Sequence, residues 1–349
     1  MKQTINSLPK RIYPQLKTTQ TNTLSFNFRQ SKDDFKVDEI ASYSSAKKGG
    51  FIVLHIRKVN LSTIDMLKIL QDELKYYNIG YAGLKDKYAT TTQYISLPIK
   101  YAYITKKLKH PQIEIIDVYY SKDAIKMGDL DSNRFSINLQ EVSHKTAKRL
   151  NEVFEQIQRY GMPNYFGYQR FGRESSNAER AKEVAYGNVI LKDKKMQRLL
   201  GNTYQSILFN SWLAKRVEMN MECIDDETST QVFNVMNGDI LVDAQTKRFV
   251  NVTDIATVKK SLKDRKLLIT GLLAGQKVWR AKDEAGALES EFDDMEIIAN
   301  GTRREAWIYP SKMSSTYNKN TQVYSLEFIL PKGAYATVLL ENMANKELG

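Results

Sequence analysis

The chain has 349 residues, enough for two compact domains, and its 42% hydrophobic and 10% aromatic content excludes a disordered protein. A total of 52 Lys and Arg against 40 Asp and Glu leaves a formal charge of +12, which favours a polyanionic partner, nucleic acid above all. No apolar run approaches the length of a membrane span, the first twenty residues lack a signal-peptide stretch, and the single cysteine, Cys223, rules out an intrachain disulfide and fits a reducing cytoplasm.

In chain order, Asp33–Ile40 (DDFKVDEI) alternates apolar Phe35 and Val37 with polar residues and predicts a strand. Lys47-Lys48-Gly49-Gly50 marks a turn before a second strand, Phe51–Val59. The period then becomes helical: Ser62 is a cap, Ile64, Leu67, Leu70 and Leu74 form the expected inner face, and the helix should stop by Asn78-Ile79-Gly80. Asp86 follows within "AGLKDKYATTTQ", on the connection between that helix and the strand "TTQYISLP". Asn133–Leu139 predicts another strand, and Ser143–Gly161 a capped helix with Ala147, Leu150, Phe154 and Ile157 inward. From Gly161 to about residue 305 helical patterns predominate. Tyr324–Leu330 then predicts a strand, and "PKGAYATVLLENM" a turn entering a helix. The expected architecture is α+β: a sheet domain built from residues 1–160 and 309–349, with a more helical insertion over 161–308.

Several chemistries are excluded by what is missing. His55, His110 and His144 lie far apart and never in a metal-ligand spacing, and Cys223 has no supporting motif. No G-x-S-x-G elbow occurs. "GYQRFGRE" has the glycine spacing of a phosphate loop but carries Arg173 and Glu174 where Lys and Ser/Thr are needed. The chemistry is therefore expected from carboxylates, amides and aromatic rings, without metal or organic cofactor. Asp86 itself reads two ways: as solvated turn chemistry between Lys85 and Lys87, or as a functional carboxylate presented by a scaffold.

Four stretches decide between them. "AGLKDKYATTTQ", "NRFSI", "PNYFGYQRFG" and "LPKGAYATVLL", supported by "DDFKVDE", "SILFNSWLAKRV", "NGDIL", "KLLITGLLAG" and "RREAWIYP", resemble in order and kind the TruD family of tRNA pseudouridine synthases. The likeness covers nearly the whole chain. It implies a pseudouridine-synthase-like, mostly antiparallel mixed sheet flanked by helices, with an inserted domain beginning around "PNYFGYQRFG". It implies conversion of uridine to pseudouridine in tRNA at position 13, with tRNA as partner, no membrane and no obligatory protein partner, in the cytoplasm. The catalytic nucleophile is then Asp86, and the contacts to the target nucleotide are Phe35, Asn133, Phe135 and Tyr335, the last standing where a phenylalanine is usual.

The residue chemistry agrees with that reading. Pseudouridylation breaks the N1–C1′ bond, turns the uracil and joins C5 to C1′, which an ionised carboxylate can assist either as a nucleophile at the sugar or as a base toward it. A nearby cation would keep the carboxylate charged, with Lys85 the candidate by adjacency and Arg29 because it precedes the "DDF" strand. The extruded base needs a flat apolar wall and an amide, and Asn133 and Phe135, two apart on a strand, share a face. As isolated strand aromatics, Phe35 and Phe135 would by default be core, and Tyr335 a helix-entry aromatic. Asn164–Gly167 is expected to be structural, whereas Gln169, Arg170 and Arg173 are the candidates for holding RNA backbone. An RNA-binding protein without catalysis has no use for a carboxylate facing a polyanion, which favours the enzyme.

Overall fold

The structure is a computed structural model that describes residues 24–41, 43, 49–171, 177–221 and 233–348. The basic leader, the Lys47-Lys48 turn, Arg173, Glu174 and Cys223 lie outside the described residues. The chain divides into two compact units, Ser25–Asn151 with Pro310–Gly333, and Met1–Leu24 with Glu152–Tyr309 and Ala334–Gly349.

The unit formed by Ser25–Asn151 and Pro310–Gly333 is built on one sheet of eight strands. They are β1 (Phe35–Ile40), β2 (Phe51–Val59), β3 (Gly80–Tyr81), β4 (Thr90–Pro98), β5 (Ile113–Ser121) and β6 (Ser132–Leu139), with β13 (Ser311–Asn318) and β14 (Val323–Pro331) arriving from the far end of the sequence. Their order is β13-β14-β6-β1-β4-β2-β5, with β3 also on β4. The sheet is mostly antiparallel. β1 and β4 are a parallel pair, and β3 pairs with β4 beyond it, through Gly80↔Ser96 and Tyr81↔Ile95.

Helix α1 (Thr63–Leu74) covers one face of this sheet. Ser62 caps it, its hydroxyl accepting the Asp65 N–H, and Lys75 ends it in the left-handed conformation. Its buried side is Thr63, Met66, Leu67, Leu70 and Leu74, packed on Ile52, Leu54, Ile56, Ile95 and Leu97 of β2 and β4. Ile64, an expected inward residue, is instead 51% exposed. It lies one residue off the stripe that runs through 63, 67, 70 and 74, and Met66 takes its place. A short helix α2 (Ile104–Lys107) lies between β4 and β5.

The expected helix-to-strand connection at Asp86 is also revised. After α1 the chain forms β3, so Asp86 sits on residues 82–89 between two antiparallel neighbours, a tighter frame than a free loop. Gly80 makes that frame possible, because a Cβ there would meet the Ser96 hydroxyl and, at 2.5 Å, the Ile125 carbonyl oxygen.

The other unit contains α3 from Glu152 on (α3 spans His144–Tyr160), β7 (Met162–Pro163), α4 (Asn177–Tyr186), α5 (Lys194–Met221), β8 (Ile240–Asp243), β9 (Phe249–Asn251), α6 (Ile255–Lys263), β10 (Leu267–Leu273), α7 (Asp283–Ser290), β11 (Thr302–Glu305), β12 (Trp307–Ile308) and α8 (Ala336–Ala344). The stretch read from sequence as helical to about residue 305 holds, besides its helices, an antiparallel sheet ordered β11-β10-β8-β9. Its central strand β10 is buried along most of its length, so no polar alternation marks it. Two buried ion pairs tie this unit together: Arg216 donates to both carboxylate oxygens of Asp239, and Arg303 reaches Glu289. No described helix is long and apolar enough to cross a membrane.

Replacing Gly80 by Ala should cost about 1–3 kcal/mol of stability through the Ser96 and Ile125 clashes. Urea unfolding measures it, and an unchanged midpoint would mean β3 can move off Ile125 freely.

Candidate active site

Register fixes which side chains share the α1 face of the large sheet. On β1 these are Phe35, Val37 and Glu39, with Ile137, Phe135 and Asn133 directly across on β6. Phe328 on β14 lies opposite Phe135, and on the other side β4 contributes Thr91 and Gln93, with Lys58 and Ile56 of β2 opposite them. Strand alternation thus brings an apolar field and a polar field side by side on one surface.

The aromatic side is tightly packed. Phe35 is 2% exposed and stands edge-on to Phe28 at 5.9 Å and tilted to Phe135 at 6.2 Å. Phe135 is 7% exposed and stacks on Phe328 at 5.5 Å. Both rings are integral to the core, and their burial leaves edges rather than open faces for any further group. Asn133, half-buried beside them, has an Oδ1 with no hydrogen-bond partner among the described residues. A buried acceptor without a donor is costly and stands ready for one.

The polar side carries the Asp86 loop. Lys85 Nζ reaches down to Glu39 Oε2 at 2.6 Å, and both side chains are buried. Glu39 is the cross-strand neighbour of Asn133, so the residue next to Asp86 is pinned to the strand pair that carries Asn133 and Phe135. The Lys85 N–H donates to Thr63 Oγ1 at 2.8 Å, and Thr63 Oγ1 donates to Gln93 Oε1 at 2.7 Å. Lys58, 0% exposed, donates from its ammonium to the carbonyl oxygens of Leu61 at 2.5 Å, Asp86 at 2.8 Å and Lys85 at 3.4 Å.

Asp86 itself is accessible to solvent, yet much of its surroundings is protein rather than water. Desolvation pushes its carboxyl above the ordinary aspartate range, opposed by the ammonium groups of Lys58 and then Lys85. Burial pulls Lys58 down to about 8, the Asp86 carboxylate opposing that fall and Lys85 adding to it.

Of the two cations expected from sequence, Lys85 acts on Asp86 only through space, its ammonium being paired with Glu39. Arg29 is exposed and is not among the charges that act on the carboxyl. The cation with the larger effect is Lys58, which sequence reasoning passed over. The signal was there: in "FIVLHIRKV" position 58 falls in phase with buried Ile52, Leu54 and Ile56, which makes it an inward-pointing lysine.

The remaining expected site residues lie in the other unit. Tyr335, half-buried at the start of α8, stands edge-on to Phe166 at 6.2 Å. A Cβ on Gly167 would come within 3.0 Å of the Tyr335 ring and 2.9 Å of Thr337 Oγ1, so the glycine of "NYFG" permits a close approach. Asn164 and Phe166 serve the fold: Asn164 Oδ1 accepts from Arg304 at 2.7 Å, and the Phe166 backbone exchanges hydrogen bonds with the Asn210 amide. Arg304 lies 4.0 Å from the Phe166 ring centroid and 5.6 Å from that of Phe209, and burial lowers it to about 10. Gln169 is exposed and its Oε1 accepts from Thr337 at 3.3 Å, while Arg170 is half-buried and donates to Ser206 at 3.2 Å.

The sequence and the fold have known counterparts. The family model described as tRNA pseudouridine synthase D (TruD) matches residues 14–194 and 189–343. The tRNA pseudouridine synthase D of a Nitratiruptor species is 37% identical over 346 residues, covering 93% of this chain and 96% of that protein. That of Sulfurimonas denitrificans is 34% identical over 348 residues, covering 94% and 97%. A crystal structure of a candidate tRNA pseudouridine synthase D from Methanosarcina mazei shares the fold, with a TM-score of 0.72 and 22% identity over 98% of this chain and 97% of that one.

Lys85→Met should destabilise the protein by about 3–5 kcal/mol, because the Glu39 carboxylate would remain buried without its cation. Denaturant titration reads it, and a loss under about 1 kcal/mol, the range of a surface pair, would show that the pair is not held out of water.

Proposed function

The chain belongs to the tRNA pseudouridine synthase D (TruD) family, whose members convert uridine to pseudouridine in tRNA, and from that premise we propose that Asp86 is the carboxylate that performs the isomerisation. The observation that carries the proposal is the anchored loop. Its backbone is tied to β2 at Lys58 and to α1 at Thr63, and Lys85 fastens it to Glu39 of β1, while the Asp86 side chain is left accessible. A rigid frame around an exposed carboxylate is the arrangement that catalysis needs and that a solvated turn does not.

Asp86 acts as the nucleophile at C1′ of the target nucleotide. One carboxylate oxygen bonds to C1′ as the N1–C1′ bond breaks with its electron pair going to the uracil; the base turns, C5 attacks C1′ and displaces the carboxylate, and the C5 proton leaves as N1 takes one up. Atoms and charge balance with no redox change. A base role toward the sugar uses the same ionised form. Asn133 reads the uracil edge, its unpartnered Oδ1 matching the N3–H donor, and the edge of Phe135 borders the base with Phe35 behind it as support.

Gln169, Arg170 and Arg173 as RNA-backbone contacts rest on their own polar and basic chemistry, and the cytoplasm as the location on the single cysteine, whereas Tyr335 as a nucleotide contact and position 13 as the target enter from the family resemblance. So does the division into a catalytic domain of residues 1–160 and 309–349 and an inserted domain of 161–308, which the separate sheet β11-β10-β8-β9 supports.

Asp86→Ala should abolish pseudouridine formation and leave tRNA affinity nearly intact. Chemical mapping of pseudouridine in tRNA together with a binding titration tests it, and normal product from the variant ends the assignment. In the native protein the single-turnover rate should fall as pH drops, because the ionised form is the reactive one. Desolvation raises that carboxyl, so the midpoint should lie above the ordinary aspartate value of about 3.9. A midpoint at that value would place Asp86 in water.

Asn133→Ala should slow the reaction by about 10- to 100-fold with little change in stability, since its acceptor is unpartnered in the free protein. A loss of stability without a loss of rate would return Asn133 to a purely structural part.

A further inference from the structure

We propose that Lys58 is the positioning residue of the active-site loop: its ammonium holds the Asp86 and Lys85 carbonyls and the turn into α1 in one cluster, which sets where the catalytic carboxylate stands. The proposal rests on the reading of Asp86 as catalytic.

A lysine ammonium has three donors and no acceptor. Lys58 meets three carbonyl oxygens, from Leu61, Asp86 and Lys85, so donors and acceptors match in number. No ion pair to Lys58 is found among the described residues, which is unusual for a fully buried lysine. Its neighbours in register, Thr91 on β4 and Ile113 on β5, do not ionise. Asp65 in the first turn of α1 is bonded to Ser62, and the charges acting on Lys58 are Asp86 and Lys85, the latter paired with Glu39. A buried charge kept without a carboxylate partner is expensive to the fold, and its contacts show what it supports. Two of its three acceptors belong to the catalytic residue and the residue before it.

Two consequences separate this role from ordinary packing. Lys58 carries its positive charge beside the Asp86 carboxylate without a side-chain contact, so it opposes the desolvation that raises that carboxyl and leaves the oxygens uncapped. A neutral amine has two donors and a lone pair, and the lone pair would repel a carbonyl, so losing the proton should loosen the loop. Burial brings Lys58 down to about 8, which places that loosening within reach of experiment. The charged form exists below that pH, so the contribution of Lys58 is full there and is lost above it.

The test uses the full-length protein with tRNA labelled at uridine C5, following proton release in single turnovers with enzyme in excess. The native rate should decline as pH rises past about 8. Lys58→Met, which keeps the length of the side chain without its donors, should be slower by about 100-fold, the cost of a carboxylate displaced by about 1 Å. Its tRNA affinity should be nearly unchanged, and its residual rate should lack the alkaline decline. A Lys58→Met rate close to native, or a native rate level up to the ordinary lysine range of about pH 10.4, overturns the proposal. The second outcome requires no variant and decides the matter even if Lys58→Met fails to fold. Asp86→Ala separates the two readings: if it remains active, the catalytic assignment falls and this proposal with it, whereas an inactive Asp86→Ala beside a fast Lys58→Met removes only the role of Lys58.

Discussion

Two buried ammonium groups lie beneath the Asp86 loop, and they are satisfied in opposite ways. Lys85 meets a carboxylate, Glu39, and so forms a closed pair whose charges cancel over short range. Lys58 meets only carbonyl dipoles, which satisfy its protons and leave its charge in place. The first arrangement fastens the loop to β1, and the second fastens it to the turn between β2 and α1 while keeping a positive potential under the carboxylate. Thr63 joins both, accepting from the Lys85 N–H and donating to Gln93.

This division also accounts for the opposite movements of the two titrating groups. Desolvation disfavours charge on each, raising Asp86 and lowering Lys58, and each partly relieves the other through space. A direct Lys58–Asp86 side-chain pair would hold both charges more firmly but would occupy the oxygens that have to reach a ribose. The carbonyl-bound lysine avoids that conflict.

In the other unit the motif-like composition of "PNYFGYQRFG" resolves into packing. Asn164 and Phe166 bind Arg304 and Asn210, Gly167 admits the Tyr335 ring, and Arg170 leans over Phe166 at 5.7 Å from its centroid. Arg304, taken out of water between aromatic rings, is held by dipoles and ring faces much as Lys58 is held by carbonyls. Tyr335 is thereby fixed by its neighbours whatever it meets at its exposed side.

Local pattern was enough to find the central strands β1, β2, β4, β6 and β14 and the helices α1 and α3, because a residue buried on one face imposes a period of 2 or 3.6 on the chain. It also placed Asn133 and Phe135 on a common face, while for Asp86 it left two readings open, between which the family resemblance chose. Of the strands in this sheet that escaped the reading, β3 has only two residues, and β5 and β13 are the two edges; an edge buries less, and the mostly exposed side chains of β13 carry no apolar stripe. The continuous apolar run of β10 was opaque for the converse reason, burial on both faces. Which cation stands where became visible in three dimensions alone: adjacency in sequence suggested Lys85 for Asp86, while the fold gave Lys85 to Glu39 and brought Lys58, 28 residues away, to the Asp86 carbonyl. Charge partners are chosen by distance in space, and that distance is set by strand register and loop closure, which no local period encodes.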